Sequence, residues 1–206
     1  ALDENDPDKL FFTCGDKRSN YICISDDKGE NIIQKALPCS VHGNEVGRAT
    51  GDRLIYKNGR LYFGSQTAGI IYSEDMGESW QSIDLFGEKN ISLIWTDSEG
   101  KLFIAGCSGE ANSPDGVTRG HTLYCSTDGL KSFVPLTAPD PVKYENSSYY
   151  GFVPQRITSD SRYIYITFAS SGEVFYGGMG AYACDTGSLS GGKVYRYRIE
   201  NGVTVF

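Results

Sequence analysis

The chain of 206 residues has no apolar run approaching the roughly 18 residues that cross a bilayer as a helix, which excludes a helical membrane span. Its first ten residues, ALDENDPDKL, contain neither a basic stretch nor an apolar core of the kind found in a secretory leader. A soluble chain is expected, with any signal peptide removed or lying outside it. Positive charge is also short: 19 Lys and Arg stand against 26 Asp and Glu, for a net charge of -7 and an isoelectric point near 4.9. Recognition of a phosphate backbone needs clustered Lys and Arg, so nucleic acid is excluded as an expected partner. Histidine is nearly missing. His42 and His121 are the only two, and neither has Cys or carboxylate neighbours at zinc-ligand spacing, so both read as loop residues and no metal or cofactor is expected. Stretches with a 3.6-residue apolar period are scarce as well, which argues against an α/β fold.

What the chain does have is 25 Gly, 14 Tyr and 10 Phe, with 39% hydrophobic residues, enough for a core in one large domain of short strands and tight turns. Residues 72–80 read YSEDMGESW and set Ser73, Asp75, Gly77 and Trp80 at fixed spacing. The same spacing recurs upstream in CISDDKGENI, with Ser25, Asp27, Gly29 and Ile32. A weaker copy lies downstream in CSTDGLKSF, where Ser126, Asp128 and Phe133 fit and Leu130 takes the place of the glycine. The three aspartates are 48 and 53 residues apart, close to the period of β-propeller blades. The pattern Ser-x-Asp-x-Gly-x-x-aromatic suits a hairpin turn. The Ser and Asp oxygens accept turn amides, Gly permits positive φ, and the aromatic staples the turn to its sheet. Because that geometry already uses the carboxylate, these boxes read as structural rather than catalytic or metal-binding.

A second element precedes each box. DKLFFTCG, GRLYFGSQ, GKLFIAGC and SRYIYITFA each place a turn before alternating aromatic and aliphatic residues, the period of a half-buried strand. A further strand runs into each box, so GKLFIAGC is expected to pair with HTLYCSTDG, and SRYIYITFA with GGKVYRYRIENG. The fold class that follows is all-β, a β-propeller with about four blade-like units at roughly 1–37, 50–86, 91–137 and 153–206, the last lacking a box. Propellers close on themselves with about 4 to 8 blades, and an open array leaves strand edges to pair. The 206 residues are therefore expected to be a partial propeller domain.

Six cysteines, Cys14, Cys23, Cys39, Cys107, Cys125 and Cys184, include two suggestive pairs on consecutive strands, Cys14 with Cys23 and Cys107 with Cys125. Adjacent antiparallel strands seldom offer disulfide geometry, which favours buried thiols over bridges in a chain where both are open. The sequons at Asn90 and Asn146 fit glycan acceptors in a eukaryotic secretory host. The segment GNEVGRATGDRL combines three glycines, Gly43, Gly47 and Gly51, with the polar Asn44, Arg48, Asp52 and Arg53. It reads in two ways: an Arg48 or Arg53 to Asp52 network holding an innermost strand, or the lining of a saccharide groove. Tyr149, Tyr150, Phe152, Tyr176 and Tyr182 have the amphipathic rings that stack on sugar faces, although aromatics of a Tyr-rich β protein also serve packing. Asp185, in YACDTG, reads as a solvated loop residue.

ALDENDPDKLFFTCG, HGNEVGRATGDRL, FGSQTAGIIYSEDMGESW, YCSTDGLKSF and GGKVYRYRI follow one another in an order that resembles the N-terminal propeller of glycoside hydrolase family 74, the xyloglucan-active endoglucanases. The most specific piece is residues 43–54. The resemblance implies an extracellular enzyme of two seven-bladed propellers with a cleft between them for a branched β-1,4-glucan. It also implies cleavage with inversion by one aspartate from each propeller, whose carboxyls stand roughly 6.5 to 9.5 Å apart to admit a water. Neither catalytic aspartate motif of that family occurs in this chain, so no catalytic residue is assigned and the isolated chain is expected to be inactive. The alternative is a non-catalytic propeller of the same box type, binding glycan or protein. Sialidase chemistry does not fit, since PQRITSD at Arg156 only loosely matches the Arg-Ile-Pro signature of that group.

Overall fold

A computed structural model describes residues 1–15, 20–39, 53–65, 68–83, 90–112, 118–136, 152–160, 162–170, 173–176, 181–184, 193–200 and 203–205. The described residues contain no helix. The first sheet is built from β1 (Leu2–Asp3), β2 (Asp6–Gly15), β3 (Asn20–Ser25) and β4 (Ile33–Ala36), and the second from β5 (Leu54–Lys57), β6 (Arg60–Gly64), β7 (Ile70–Ser73) and β8 (Gln81–Ser82). The third comprises β9 (Asn90–Thr96), β10 (Phe103–Asn112), β11 (Thr118–Ser126) and β12 (Val134–Leu136). In each of these the four strands are antiparallel and lie in chain order. The fourth sheet holds β13 (Phe152–Ser159) and β14 (Tyr163–Ser170), then β17 (Lys193–Glu200) and β18 (Val203–Val205); between β14 and β17 a separate hairpin, β15 (Glu173–Tyr176) and β16 (Ala181–Cys184), is inserted. These are the blades of a β-propeller.

Pairing follows the period-2 pattern. β10 lies against β11 from Phe103 opposite Ser126, and β14 against β17 from Tyr163 opposite Arg198. Alternation of buried and exposed residues holds in β2, where Phe11 is 1% exposed and its neighbour Phe12 39%. It fails in β6, where Leu61 to Gly64 are all buried, because the second sheet is covered on both faces. Two tight connections are set by sequence chemistry. Asn58 and Gly59 have φ of 51° and 79°, the positive pair of the type I′ turn that Asn-Gly favours, and they join β5 to β6. Gly64 leaves no room for a side chain, since a Cβ there would lie 2.5 Å from Ile91 Cγ2.

Three apolar layers hold the sheets together. Between the first and second lie Phe11, Ile22, Ile24 and Leu37 against Leu61, Phe63, Ile71 and Trp80. Tyr62, Ile70 and Ile83 of the second meet Ile91, Phe103, Ala105 and Phe133 of the third, and Ile104, Leu123 and Leu136 of the third meet Ile164, Ile166 and Tyr197 of the fourth. The first three blades point the same way. Lys57 beside the β5–β6 turn forms an ion pair with Glu4 in the β1–β2 turn, and Asn58 Nδ2 donates to the Glu99 carbonyl in the β9–β10 turn at 3.3 Å. At the opposite end Ile91 N donates to the Ser65 carbonyl at 2.9 Å.

One expectation is corrected. Cys14 and Cys23 form a disulfide, while Cys39, Cys107 and Cys125 are buried thiols. The register explains both outcomes. Cys23 stands opposite Phe12 and Cys14 opposite Tyr21, so the two cysteines are diagonal neighbours on one face with Cα atoms 6.7 Å apart, inside the bridging range. Cys107 faces Thr122 and Cys125 faces Ile104, three residues away along β10, on opposite faces of the sheet.

Candidate functional site

The three boxes occupy the same place in three blades, the turn from the third strand to the fourth. In the first, Ser25 Oγ donates to Asp27 Oδ1 at 2.7 Å and accepts from Gly29 N at 2.8 Å. Asp27 accepts from Asn31 N at 2.9 Å and from Asn31 Nδ2 at 2.6 Å. In the second, Ser73 Oγ donates to Asp75 at 2.8 Å and accepts from Gly77 N at 2.7 Å, while Ser79 donates through both its amide and its hydroxyl to Asp75. The third repeats this with Ser126, Asp128, Leu130 N and Ser132. The donors around each carboxylate hold Asp27, Asp75 and Asp128 down to about 2, with Asn31, Ser79 and Ser132 as the main cause. Such a carboxylate is ionised, saturated with turn donors and a poor proton donor or acceptor near neutrality. Sequence reasoning missed the residue four after each aspartate. Its signal was present, because Asn31, Ser79 and Ser132 all stand just before the box aromatic position and all carry a donor.

Strand order places the boxes and the β1–β2, β5–β6 and β9–β10 turns at one end of the blades. At the other end lie Cys39, Arg53, Ser65, Ile83, Asn90, Leu136 and Phe152, the points from which the chain leaves one strand or enters the next. The candidate groove residues fall on this second end or outside the described residues. Asn44, Arg48, Asp52, Tyr149 and Tyr150 lie outside them, as do His42, Asn146 and Asp185. Tyr182 is on β16, paired with Phe175 across the inserted hairpin, and its side chain is not among those described.

Arg53 is the groove candidate whose side chain is described. It is half-buried ahead of β5, with its guanidinium carbon 5.8 Å from the centre of the Phe63 ring, and its carbonyl accepts from Gly64 N at 2.8 Å. Burial lowers its pKa from the ordinary value, and the neighbouring Cys39 opposes that shift. Burial raises the Cys39 thiol, against a hydrogen bond with Ser65 and the Arg53 charge. Cys39, Arg53 and Ser65 thus form one polar cluster where the first and second blades meet at the loop end. Among the described residues, no group of three or more His, Cys, Asp or Glu is placed to hold a metal.

No protein-family model matches the chain. It is 31% identical over 117 residues to an oligoxyloglucan-reducing end-specific xyloglucanase of Emericella nidulans, which covers 50% of this chain and 14% of that protein. It is 26% identical over 160 residues to a probable enzyme of the same name from Neosartorya fischeri, covering 71% and 18%, and 28% identical over 153 residues to a xyloglucanase of a Paenibacillus species, covering 63% and 15%. The chain therefore spans less than a fifth of the length of these relatives. In fold it matches a family 74 glycoside hydrolase of Niastella koreensis with a TM-score of 0.66 at 23% identity, over 99% of this chain and 29% of that one. A family 74 xyloglucanase of Xanthomonas campestris gives 0.63 at 21% identity, over 95% and 28%. In sequence the chain is similar to xyloglucanases and in fold to the β-propellers of family 74 enzymes.

Proposed function

We propose that the chain is part of a secreted, xyloglucan-directed endo-β-1,4-glucanase of the inverting kind, in which it supplies propeller blades and groove loops but not the catalytic aspartates. The observation that carries this reading is the similarity to three proteins named as xyloglucanases. The distribution of chemistry along the blades supports it. One end is filled by boxes whose carboxylates are used up by turn amides. The other end is where the segments with Asn44, Arg48 and Asp52, with Tyr149 and Tyr150, and with Tyr182 join the strands, and where Arg53 sits. In this reading those residues bind a branched, neutral β-glucan through stacking and hydrogen bonds, and the remaining blades and a second propeller complete the cleft.

The test is release of reducing ends from xyloglucan. The protein at its natural length is expected to hydrolyse the polymer, and residues 1–206 alone are expected to bring about no turnover. Turnover by the 206-residue chain that disappears with Asp52→Asn or Asp185→Asn would show that the acid and base lie within it. A natural-length protein that binds glycan without cleaving it would replace the enzyme by a binding propeller.

A further inference from the structure

The second and third boxes do more than close their own hairpins: each docks on the sheet before it. Lys35 of β4 reaches across to the second box, donating to the Met76 carbonyl at 2.8 Å and pairing with Glu78 at 2.8 Å. Beneath that contact Gly77 is pressed against β3, where a Cβ would stand 3.0 Å from Ile22 Cγ2, and Trp80 packs into the layer that contains Ile22. The receptor is thus an aliphatic residue on the third strand and a lysine opposite it on the fourth, since Ile22 and Lys35 are register partners. The third box docks on the second sheet by a matched change of chemistry. Its receptor is Ile70 with Ile83, whose amide donates to the Ile70 carbonyl at 2.9 Å, and the box offers Leu130 in place of the glycine and Lys131 in place of the glutamate. A box with Gly77 and Glu78 meets a lysine receptor, and a box with Leu130 and Lys131 meets an aliphatic one.

The first box is of the acidic, glycine-bearing type, with Gly29, Glu30 and Ile32 at the positions of Gly77, Glu78 and Trp80. Its contacts among the described residues are with its own sheet, Leu10 beside Gly29 and Asp8 beside Lys28. Register makes Phe12 the counterpart of Phe63 in the second sheet, because Phe12 faces Cys23 and Phe63 faces Ile71, each two residues before the box serine. Phe63 is 1% exposed and Phe12 39%. Ile32 is 50% exposed and Leu2, on the same face, 60%. Within the chain the first sheet holds the second box, the second sheet holds the third box, and Leu123 with Leu136 of the third sheet holds Tyr195 and Tyr197 of the fourth, while the last strand of the fourth sheet, Val203–Val205, carries no lysine. A second copy of the chain therefore has no free lysine receptor to offer.

We propose that the face formed by Leu2, Phe12, Glu30 and Ile32 is a docking key for one further four-stranded sheet of the same protein, which carries an aliphatic residue on its third strand and, opposite it, a lysine on its fourth. That lysine occupies the place Lys35 takes on the second box, with its ammonium on the Lys28 carbonyl and the Glu30 carboxylate. The partner's chemistry is fixed by the box: an apolar receptor of the Ile70 and Ile83 kind leaves Glu30 without a counter-charge and leaves a gap over Gly29. This inference rests on the reading of the chain as part of a larger propeller.

A water-soluble carbodiimide joins a carboxylate to an amine only where the two touch, so the protein at its natural length carries its own standard in Glu78 and Lys35. After treatment and peptide mass spectrometry the expected products are the Glu78–Lys35 link and a link from Glu30 to a lysine that lies opposite an aliphatic residue in another sheet. Glu30→Gln is expected to remove the second link alone. Recovery of the Glu78–Lys35 link with Glu30 unlinked overturns the proposal. A Glu30 link between two copies, recognised in a mixture of isotopically light and heavy protein, assigns the face to self-association and also overturns it. Hydrogen exchange in the natural-length protein gives an independent check: amides of 28–32 are expected to exchange about as slowly as those of 76–80 in the docked second box, and rates tenfold faster or more contradict the docking. Xyloglucan turnover by the same preparation separates the two readings, since an active protein with Glu30 unlinked loses the docking key and keeps the proposed function.

Discussion

At the residue scale the box aspartates carry a testable electrostatic signature. Asp27, Asp75 and Asp128 are held at about 2 against an ordinary value of 3.8, chiefly by donors from Asn31, Ser79 and Ser132. A folded-state pKa below the unfolded one means that these carboxylates stabilise the fold in full above the unfolded value, and that the contribution is lost as pH falls from about 4 towards 2. Carboxyl carbon NMR is expected to show all three titrating near the acid limit, and Ser79→Ala to raise Asp75 while leaving Asp27 and Asp128 unmoved. An Asp75 that titrates in the ordinary range in the unaltered protein contradicts the hydrogen-bond account. Ser, Asp and Gly of the box were legible because each has a local job in one turn. Their lowered pKa values were not, since they depend on a fourth residue whose type varies between Asn and Ser. The Cys14–Cys23 bridge was hidden for a related reason: a diagonal pair depends on register, and the spacing of nine residues does not reveal which cysteine faces which neighbour.

At the element scale, period-2 patterning was enough to pair β10 with β11 and β14 with β17, because a strand of alternating character has one buried face to satisfy. The docking of boxes on the preceding sheet was not legible, as it joins residues about 40 positions apart, such as Lys35 and Met76. The glycines separate these two levels experimentally. Gly77 has φ of 82° and a methyl added there would lie 3.0 Å from Ile22 Cγ2, whereas Gly129 has φ of 74° and open space around it. Gly129→Ala is expected to cost about 1 kcal/mol, the strain of a left-handed residue. Gly77→Ala is expected to cost more, about 2 to 3 kcal/mol, since it adds overpacking against Ile22 to the same strain. Urea unfolding of the two variants compares them directly, and equal losses would place the whole effect in the turn and none in the docking. Leu130 shows that the balance can tip the other way. It holds φ of 70° without being glycine, and its side chain packs against the layer between the second and third sheets, which offsets the backbone strain.

At the scale of the whole molecule, the repeats made four blades legible, but the loop end is where the sequence carried less. Its candidate residues sit in long connections with no period to read, and Asn44, Arg48, Asp52, Tyr149 and Tyr150 fall outside the described residues. What the blades do fix is polarity: boxes at one end, strand connections with mixed aromatic and polar chemistry at the other. A neutral glycan bound there draws its affinity from ring stacking and hydrogen bonds, whereas a polyanion draws it from counterion release and weakens steeply with salt. Calorimetric titration of the natural-length protein with a xyloglucan oligosaccharide at two ionic strengths is therefore expected to give nearly equal affinities. Tyr182→Ala is expected to weaken binding by about 2 kcal/mol, the scale of burying one large side chain, and Arg48→Ala to weaken it as well, with the fold intact by circular dichroism. Lys131→Ala, at the box end, is expected to leave affinity unchanged. If Tyr182→Ala and Arg48→Ala bind as the unaltered protein does, the connections are scaffold and the groove lies elsewhere. A steep fall of affinity with salt would instead point to a polyanionic ligand, which the net charge of -7 makes the harder case to build.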